Sequence, residues 1–305
     1  MSPPRALITG ISGFTGDYIA AELSQRGYDI FGFGAESAQQ QNNRYSINLS
    51  DQKAIRELVE TIQPDVVVHL AAISFVAHGD IDAIYQANIT GTRNLLSALV
   101  EAGVNPDLVV LASSANIYGN THAQDLDPSA VLNETTIAAP ANDYAVSKLA
   151  MEHMARLWME QLPITIVRPF NYTGVGQSER FLLPKIVSHF QRGDHRIELG
   201  NIDVVRDFSD VRDIAAAYGG LIDAKPAGEV FNLCSGSGHS LTETLDMMRD
   251  IAGYSIKVEV NPAFVRDNEV KQLVGCNDKL KATVGNYSPI PLRQTLEWMY
   301  KKTDG

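Results

Sequence analysis

The chain has 305 residues, 45% of them hydrophobic and 20% charged, enough to bury a full core in one large or two intimate lobes of soluble α/β type. Acidic residues outnumber basic ones 36 to 25, and the net charge of −11 argues against a nucleic-acid backbone or an anionic membrane as the main partner, while leaving a locally basic pocket open. Cys234 and Cys276 are the only cysteines; they are too few for a disulfide scaffold and lack metal-ligand spacing, which predicts a reducing cytoplasm and no metal. The start of the chain shows no charged region followed by a long apolar one, so neither a signal peptide nor a membrane span is expected.

Residues 5–9 form a short apolar run that ends in Gly10, Gly13 and Gly16, after which apolar residues recur at helical spacing at Ile19, Ala20 and Leu23. The pattern predicts a strand, a glycine turn and a helix. Glycines let the backbone turn sharply and approach a pyrophosphate seated on the free N–H groups of the helix. Gly10, Ser12, Gly13, Phe14, Thr15 and Gly16 are therefore candidate dinucleotide contacts, with a second strand following over 28–33. The end of that strand usually declares the cofactor, by an acidic residue for the 2′-hydroxyl of NAD or an arginine for the 2′-phosphate of NADP. Here Gly34 is followed by Ala35 and Glu36, with no arginine before Arg44. Loss of the carboxylate removes repulsion against a phosphate and Glu36 restores part of it, so the balance leans slightly to NADP(H) over NAD(H).

After Asn48 and Leu49, a charged helix is predicted over 52–62 and a buried strand over 64–72. The strand runs into the small residues that follow Leu70, Ala71 and Ala72, where a ligand can lie against the backbone; His69 within it reads as a packing residue. Residues 85–99, with Ala87, Asn88 and Gly91, predict one long buried helix with a small face. The apolar run 108–112 delivers residues 113–119 to the C-terminal edge of a parallel sheet, where ligands bind.

Residues 143–148 follow a Pro/Asn/Asp-rich turn. If they are helical, Tyr144 and Lys148 lie one turn apart on the same face. A cation beside a phenol favours phenolate and is expected to lower the tyrosine pKa toward neutrality, making Tyr144 a usable proton donor or acceptor. Ser114, at a strand tip, can hold a carbonyl or alcohol oxygen, and Lys148 can both acidify the phenol and hold a nicotinamide ribose. Each part alone is commonplace, since such Tyr–Lys spacing occurs on many solvated helices and serines often satisfy turn backbone. Their weight comes from sharing one site.

Residues 9–16, residues 113–119 and the Tyr144-Ala145-Val146-Ser147-Lys148 stretch together resemble the extended short-chain dehydrogenase/reductases, in the nucleotide-sugar epimerase and dehydratase branch, over essentially the whole chain. The resemblance implies an α/β fold, a doubly wound parallel Rossmann sheet with a smaller interleaved substrate-binding lobe. The expected division places the dinucleotide-binding part at 1–168 and the nucleotide-sugar lobe at 169–305, with segments near 203–236 returning to the Rossmann core. It also implies that Gly10, Gly13 and Gly16 wrap the pyrophosphate and that Ser114, Tyr144 and Lys148 form the catalytic set. Asn48 and Leu49 stand where the family usually has Asp-Leu beside the adenine.

In the second half, a strand over 164–171 loosens into a binding loop over 172–177, followed by a helix over 181–191. Met247 and Met248 read as core filler, and Trp298 and Tyr300 as packing residues. Arg206 and Arg266 are forked cations of the kind that grip a diphosphate, although spacing alone leaves surface pairing with a neighbouring acid equally open. Residues 198–203, the Arg206-Asp207-Phe208 run and residues 266–270 resemble the GDP-mannose 4,6-dehydratases and the GDP-4-keto-6-deoxy-mannose reductases. That similarity implies a GDP-sugar pocket lined by Asn171, Lys185, Asn201, Arg206 and Arg266, with Asn116 and Glu269 also in contact. The dehydratases present a threonine and, two residues later, a glutamate that takes the C5 proton; Ser114 and Asn116 stand at those positions. An amide cannot be that base. The expectation is a reductase that passes hydride from NAD(P)H to the C4 ketone, with GDP-D-rhamnose or a near relative as product. A GDP-mannose 4,6-dehydratase, a GDP-sugar 4-epimerase and a non-catalytic nucleotide-sugar-binding protein are the alternatives. A homodimer through helices near 85–99 and 144–160 is expected.

Overall fold

A computed structural model describes residues 2–34, 43–73, 80–120, 131–265 and 270–302. The first half alternates strand and helix as its apolar runs dictate: β1 (Arg5–Thr9), α1 (Phe14–Gln25), β2 (Asp29–Gly34), β3 (Arg44–Ser46), α2 (Gln52–Ile62) and β4 (Val66–His69). α3 (Ile81–Tyr85), α4 (Thr92–Glu101), β5 (Leu108–Ala112) and α5 (Asp143–Arg156) continue it, and β6 (Ile164–Pro169) and β7 (Asn171–Thr173) follow. The remainder comprises α6 (Leu182–Gln191), β8 (Arg196–Leu199), β9 (Val205–Asp210), α7 (Val211–Ala224), β10 (Val230–Leu233), β11 (Gly238–Ser240), α8 (Leu241–Ala252), β12 (Lys257–Val260), β13 (Gln272–Leu273), α9 (Asp278–Val284) and α10 (Leu292–Lys301).

Seven strands form one parallel sheet in the order β10-β6-β5-β4-β1-β2-β3. Every residue of β4 is buried, as a strand covered on both faces must be, which explains its unbroken Val-Val-Val run. One face packs on α1 and α7 through Ile19, Leu23, Ile214, Tyr218 and Leu221. The other packs on α2, α4 and α5 through Ile55, Val59, Leu95, Leu99 and Met151. Strand order reverses on either side of β1, so the carboxyl ends of β1 and β4 diverge into an open crevice.

A second group of elements stands at that carboxyl edge. β7, β11 and β13 pair with β9, β8 pairs with β12, and α6, α8 and α10 share a core that includes Phe190, Met248 and Leu296. Within 203–236, β10 joins the large sheet and α7 packs on it, whereas β9 belongs to the small sheet.

The helix expected over 85–99 lies within an unbroken helical run over 81–101 that widens at its centre. Gln86–Gly91 is π-helical and separates α3 from α4. Within the wider turn, the Asn88 amide accepts from Ile73 N at 2.9 Å and donates to Ser147 Oγ at 2.9 Å. The segment thus fastens the loop after β4 to α5, and such π segments recur at functional sites.

Candidate active site

The turn after β1 is built by close approach of backbones. Gly10 has φ +71°, and a Cβ there would come within 2.9 Å of Ala71 N. At Gly16 a Cβ would lie 2.5 Å from the carbonyl oxygens of Gly10 and Ile11, so only glycine lets α1 leave the strand at this angle. Gly13 is the N-cap of α1 and offers no side-chain cap, and Gly13, Phe14, Thr15 and Gly16 line the crevice. An uncapped helix N-terminus behind a cradle that a Cβ would fill is a fit for a pyrophosphate. Beneath it, His69 bridges Thr9 Oγ1 at 2.6 Å and Thr92 Oγ1 at 2.9 Å, while Ala71 N donates to Thr9 Oγ1 at 3.1 Å. Burial pushes the imidazole pKa down to about 3, so His69 is a neutral packing residue that joins the tips of β1 and β4.

Ser114 caps a short 3-10 turn, Ala115–Tyr118, at the end of β5. Its Oγ accepts from Asn116 N at 3.2 Å and from Asn116 Nδ2 at 3.1 Å, and the hydroxyl favours the ionised form of the Tyr144 phenol. Asn142 caps α5 by accepting from Ala145 N at 2.9 Å, and the helix then turns Tyr144 and Lys148 onto one buried face. The expected acidification of Tyr144 is reversed. Burial pushes the phenol up to about 12, with the Ser114 hydrogen bond opposing it. Burial also brings Lys148 down to about 8, opposed by the nearby Glu152. Its Nζ donates to Ala112 O at 2.7 Å, so the ammonium is engaged by a strand carbonyl and desolvation governs both groups.

The crevice encloses about 1220 Å³, larger than a single small-ligand pocket and sufficient for two nucleotides. Ser12, Asn48, Leu49, Leu70, Ala71, Ala72, Ser114, Asn116, Tyr144, Lys148 and Asn171 all line it together with the glycine turn. Asn171 Nδ2 is buried without a partner among the described residues, the signature of a donor awaiting a ligand. Lys185, Asn201 and Arg206 do not line the crevice. Lys185 Nζ donates to Glu198 O at 2.7 Å and sits over the Phe264 ring, and Arg206 Nη1 donates to Val205 O at 3.0 Å. A backbone carbonyl close at hand accepts from each of these two cations. Arg266, Glu269 and Glu36 lie outside the described residues. The exposed Arg180 also lines the crevice, with Gln177, Ser178 and Phe181.

Residues 6–234 match the NAD dependent epimerase/dehydratase family. The chain belongs to that family. It is 35% identical to the GDP-6-deoxy-D-talose 4-dehydrogenase of Aggregatibacter actinomycetemcomitans, over 97% of both chains. With the GDP-6-deoxy-D-mannose reductase of Pseudomonas aeruginosa it shares 32% identity over 96% of this chain and 94% of the other. Among solved structures, a Burkholderia cenocepacia J2315 protein assigned as an epimerase superposes with a TM-score of 0.90 at 51% identity, over 98% of each chain. RMD from Pseudomonas aeruginosa, complexed with NADPH, superposes with a TM-score of 0.83 at 30% identity over 97% of each chain. The chain is an NAD(P)-dependent oxidoreductase of the extended short-chain dehydrogenase/reductase type.

Behind the reacting groups of this epimerase/dehydratase-family enzyme lies a buried polar network. Ser113 Oγ donates to Glu152 Oε1 at 2.6 Å; Arg168 Nε donates to the same oxygen at 2.9 Å and Nη2 to Oε2 at 2.7 Å. Arg168 also donates to Tyr118 Oη at 2.9 Å, and Tyr118 in turn to Asn232 Oδ1 at 2.7 Å. Glu152 thus ties the tip of β5 and the tip of β6 to α5, one turn beyond Lys148. The clue in the sequence is an arginine closing the apolar run 164–167, because a charge in a buried strand requires a buried partner. Tyr172 was likewise unmarked: it stacks on Phe14, and its hydroxyl shares a 2.7 Å hydrogen bond with Thr15 Oγ1.

Proposed function

We propose that the chain reduces the C4 ketone of a GDP-linked 4-keto-6-deoxyhexose, with NADPH as the hydride source. The observation that carries the reading is the Asn116 amide, at 3.1 Å from Ser114 Oγ. Elimination of water would need a carboxylate base there, and an amide cannot take the C5 proton. Ser114, Tyr144 and Lys148, the groups that hydride transfer requires, stand together in the same crevice. The names of the two relatives support a GDP-6-deoxy sugar as the substrate class. Talose and mannose differ in configuration at C4, so those names correspond to hydride delivery to opposite faces of one ketone. The product is GDP-D-rhamnose or its C4 epimer. Gly34 at the end of β2, where NAD enzymes present an acid, supports NADPH.

The fit of the glycine cradle to a pyrophosphate allows the roles to be assigned. Gly10, Gly13 and the first turn of α1 hold the dinucleotide, which when bound supplies the hydride. The Ser114 hydroxyl donates a hydrogen bond to the ketone oxygen, polarising it. Tyr144, with a pKa pushed up to about 12 by burial, remains protonated at neutral pH and gives its proton to the developing alkoxide. The Lys148 ammonium, one turn along α5, stabilises the phenolate that remains. Asn171 Nδ2 supplies a donor for a sugar or nicotinamide oxygen.

Loss of nicotinamide absorbance with GDP-4-keto-6-deoxy-D-mannose as substrate tests the reading. NADPH is expected to outperform NADH, and Tyr144→Phe to lower kcat by about 10²- to 10⁴-fold. Equal turnover by Tyr144→Phe would overturn the assigned proton donor.

A further inference from the structure

We propose that Asn116 is a positioning residue that sets the direction of the hydrogen bonds across the site: its amide makes Ser114 a donor only, so the site selects a ketone over an alcohol. A serine hydroxyl has two acceptor lone pairs and one hydrogen. In this structure Ser114 Oγ accepts from Asn116 N at 3.2 Å and from Asn116 Nδ2 at 3.1 Å. Both lone pairs are used, and the hydroxyl hydrogen alone is left to offer to the crevice that Ser114 lines. The arrangement is held by the one-turn helix that Ser114 caps, which Gly119 closes by donating to Asn116 O at 3.1 Å. The turn therefore places residue 116 beside Ser114 by backbone geometry.

The consequence concerns the substrate oxygen. Tyr144 is a protonated phenol and Ser114 a saturated acceptor, so the site offers two donors to one oxygen. A ketone oxygen has two lone pairs and no hydrogen, and matches. An alcohol must place its own hydrogen; Ser114 has no lone pair left to receive it, so only the Tyr144 oxygen can, and the site loses one of its two donor contacts to the substrate oxygen. A carboxylate at position 116 would reverse the chain, accepting the Ser114 hydrogen and leaving a lone pair of Oγ open to the crevice. Asn116 thereby acts on the ground-state balance between oxidised and reduced sugar, through Ser114, without touching the reacting atoms.

The inference rests on the reductase reading and is tested with Asn116→Asp, which keeps the side-chain shape, and Asn116→Ala, which frees the Ser114 rotor. The full-length enzyme without nicotinamide cofactor, so that neither ligand can turn over, is titrated calorimetrically with the GDP-linked ketone and with the corresponding GDP-linked alcohol. Wild type is expected to favour the ketone. Asn116→Asp should shift the ketone-to-alcohol affinity ratio toward the alcohol by at least about tenfold, with reductive kcat/KM falling on the order of a hundredfold. Asn116→Ala should fall between, with a ratio change of about two- to tenfold. A merely structural role would weaken both ligands alike. An unchanged ratio in Asn116→Asp, or in Asn116→Ala should the aspartate variant fail to fold, overturns the inference while wild-type turnover leaves the reductase reading standing. Absence of wild-type turnover with any GDP-4-keto sugar overturns both.

Discussion

Tyr144 and Lys148 occupy the places their spacing predicted, but their protonation follows from surroundings that spacing does not reveal. Tyr144 and Lys148 are nearly inaccessible to solvent, and desolvation disfavours the charged form of each. A phenol pushed up to about 12 is a proton donor awaiting an alkoxide, which favours the reductive direction. The lysine, brought down to about 8, becomes the group that titrates near neutrality. Reductive kcat/KM is therefore expected to be level at neutral pH and to fall as pH rises through about 8, because the ammonium that stabilises the phenolate is lost. Lys148→Arg, whose guanidinium does not titrate there, should lower the rate and abolish that limb. A pH–rate profile checks it, and an unchanged alkaline limb in the variant would assign the titration to another group. The residue types were legible in the sequence. The pKa order was not, because it depends on burial beside residues far along the chain, such as Phe170 and Tyr172, that line the same crevice.

Elements explain which motifs could be read and which could not. The glycine turn was legible because each glycine answers a local steric demand, and its members differ in a measurable way. A Cβ at Gly16 would meet two backbone oxygens at 2.5 Å, whereas at Gly13 it would meet only Gly10 O, at 3.2 Å. Gly16→Ala is expected to lower the melting temperature and abolish cofactor binding, and Gly13→Ala to leave folding nearly intact while weakening the cofactor by about tenfold, as an intruding methyl at the pyrophosphate would. Thermal melts with and without NADPH distinguish the two; equal melting temperatures for the variants would refute the packing argument. The π-helical turn at Gln86–Gly91 left no mark, since one extra residue per turn hardly disturbs an apolar pattern. Lys185 and Arg206 were visible as cations, yet sequence does not say which way a cation points. Each donates to a nearby carbonyl, of Glu198 and of Val205.

The whole molecule is a parallel sheet whose carboxyl edge is roofed by a second set of strands and helices, and the crevice between them unites residues as distant in sequence as Gly10 and Phe208. Alternating apolar runs made this architecture legible, while the buried network of Glu152, Arg168 and Tyr118 emerged only from the packing of β5, β6 and α5. Stability should share the pH behaviour of the buried groups. His69 is held near a pKa of about 3 against 6.5 unfolded, so below 6.5 the unfolded chain binds a proton that the folded one refuses, and stability is lost as pH falls toward 3. Asp213, raised by burial to about 6 from 3.8, acts oppositely over 6 to 3.8, but its shift is smaller. The melting temperature is therefore expected to drop between pH 7 and pH 5, and His69→Gln, which carries no titrating ring, to show a shallower drop; an equal drop would remove His69 from the account.

The central claim is reduction at C4 without elimination, and one paired assay tests it most directly. The enzyme is incubated separately with GDP-mannose plus NADP and with GDP-4-keto-6-deoxy-D-mannose plus NADPH, and the sugar products are resolved by nuclear magnetic resonance. The account predicts unchanged GDP-mannose in the first and a GDP-6-deoxyhexose with a C4 hydroxyl in the second. A 4-keto-6-deoxy sugar formed from GDP-mannose, or a ketone left intact beside unoxidised NADPH, would contradict it.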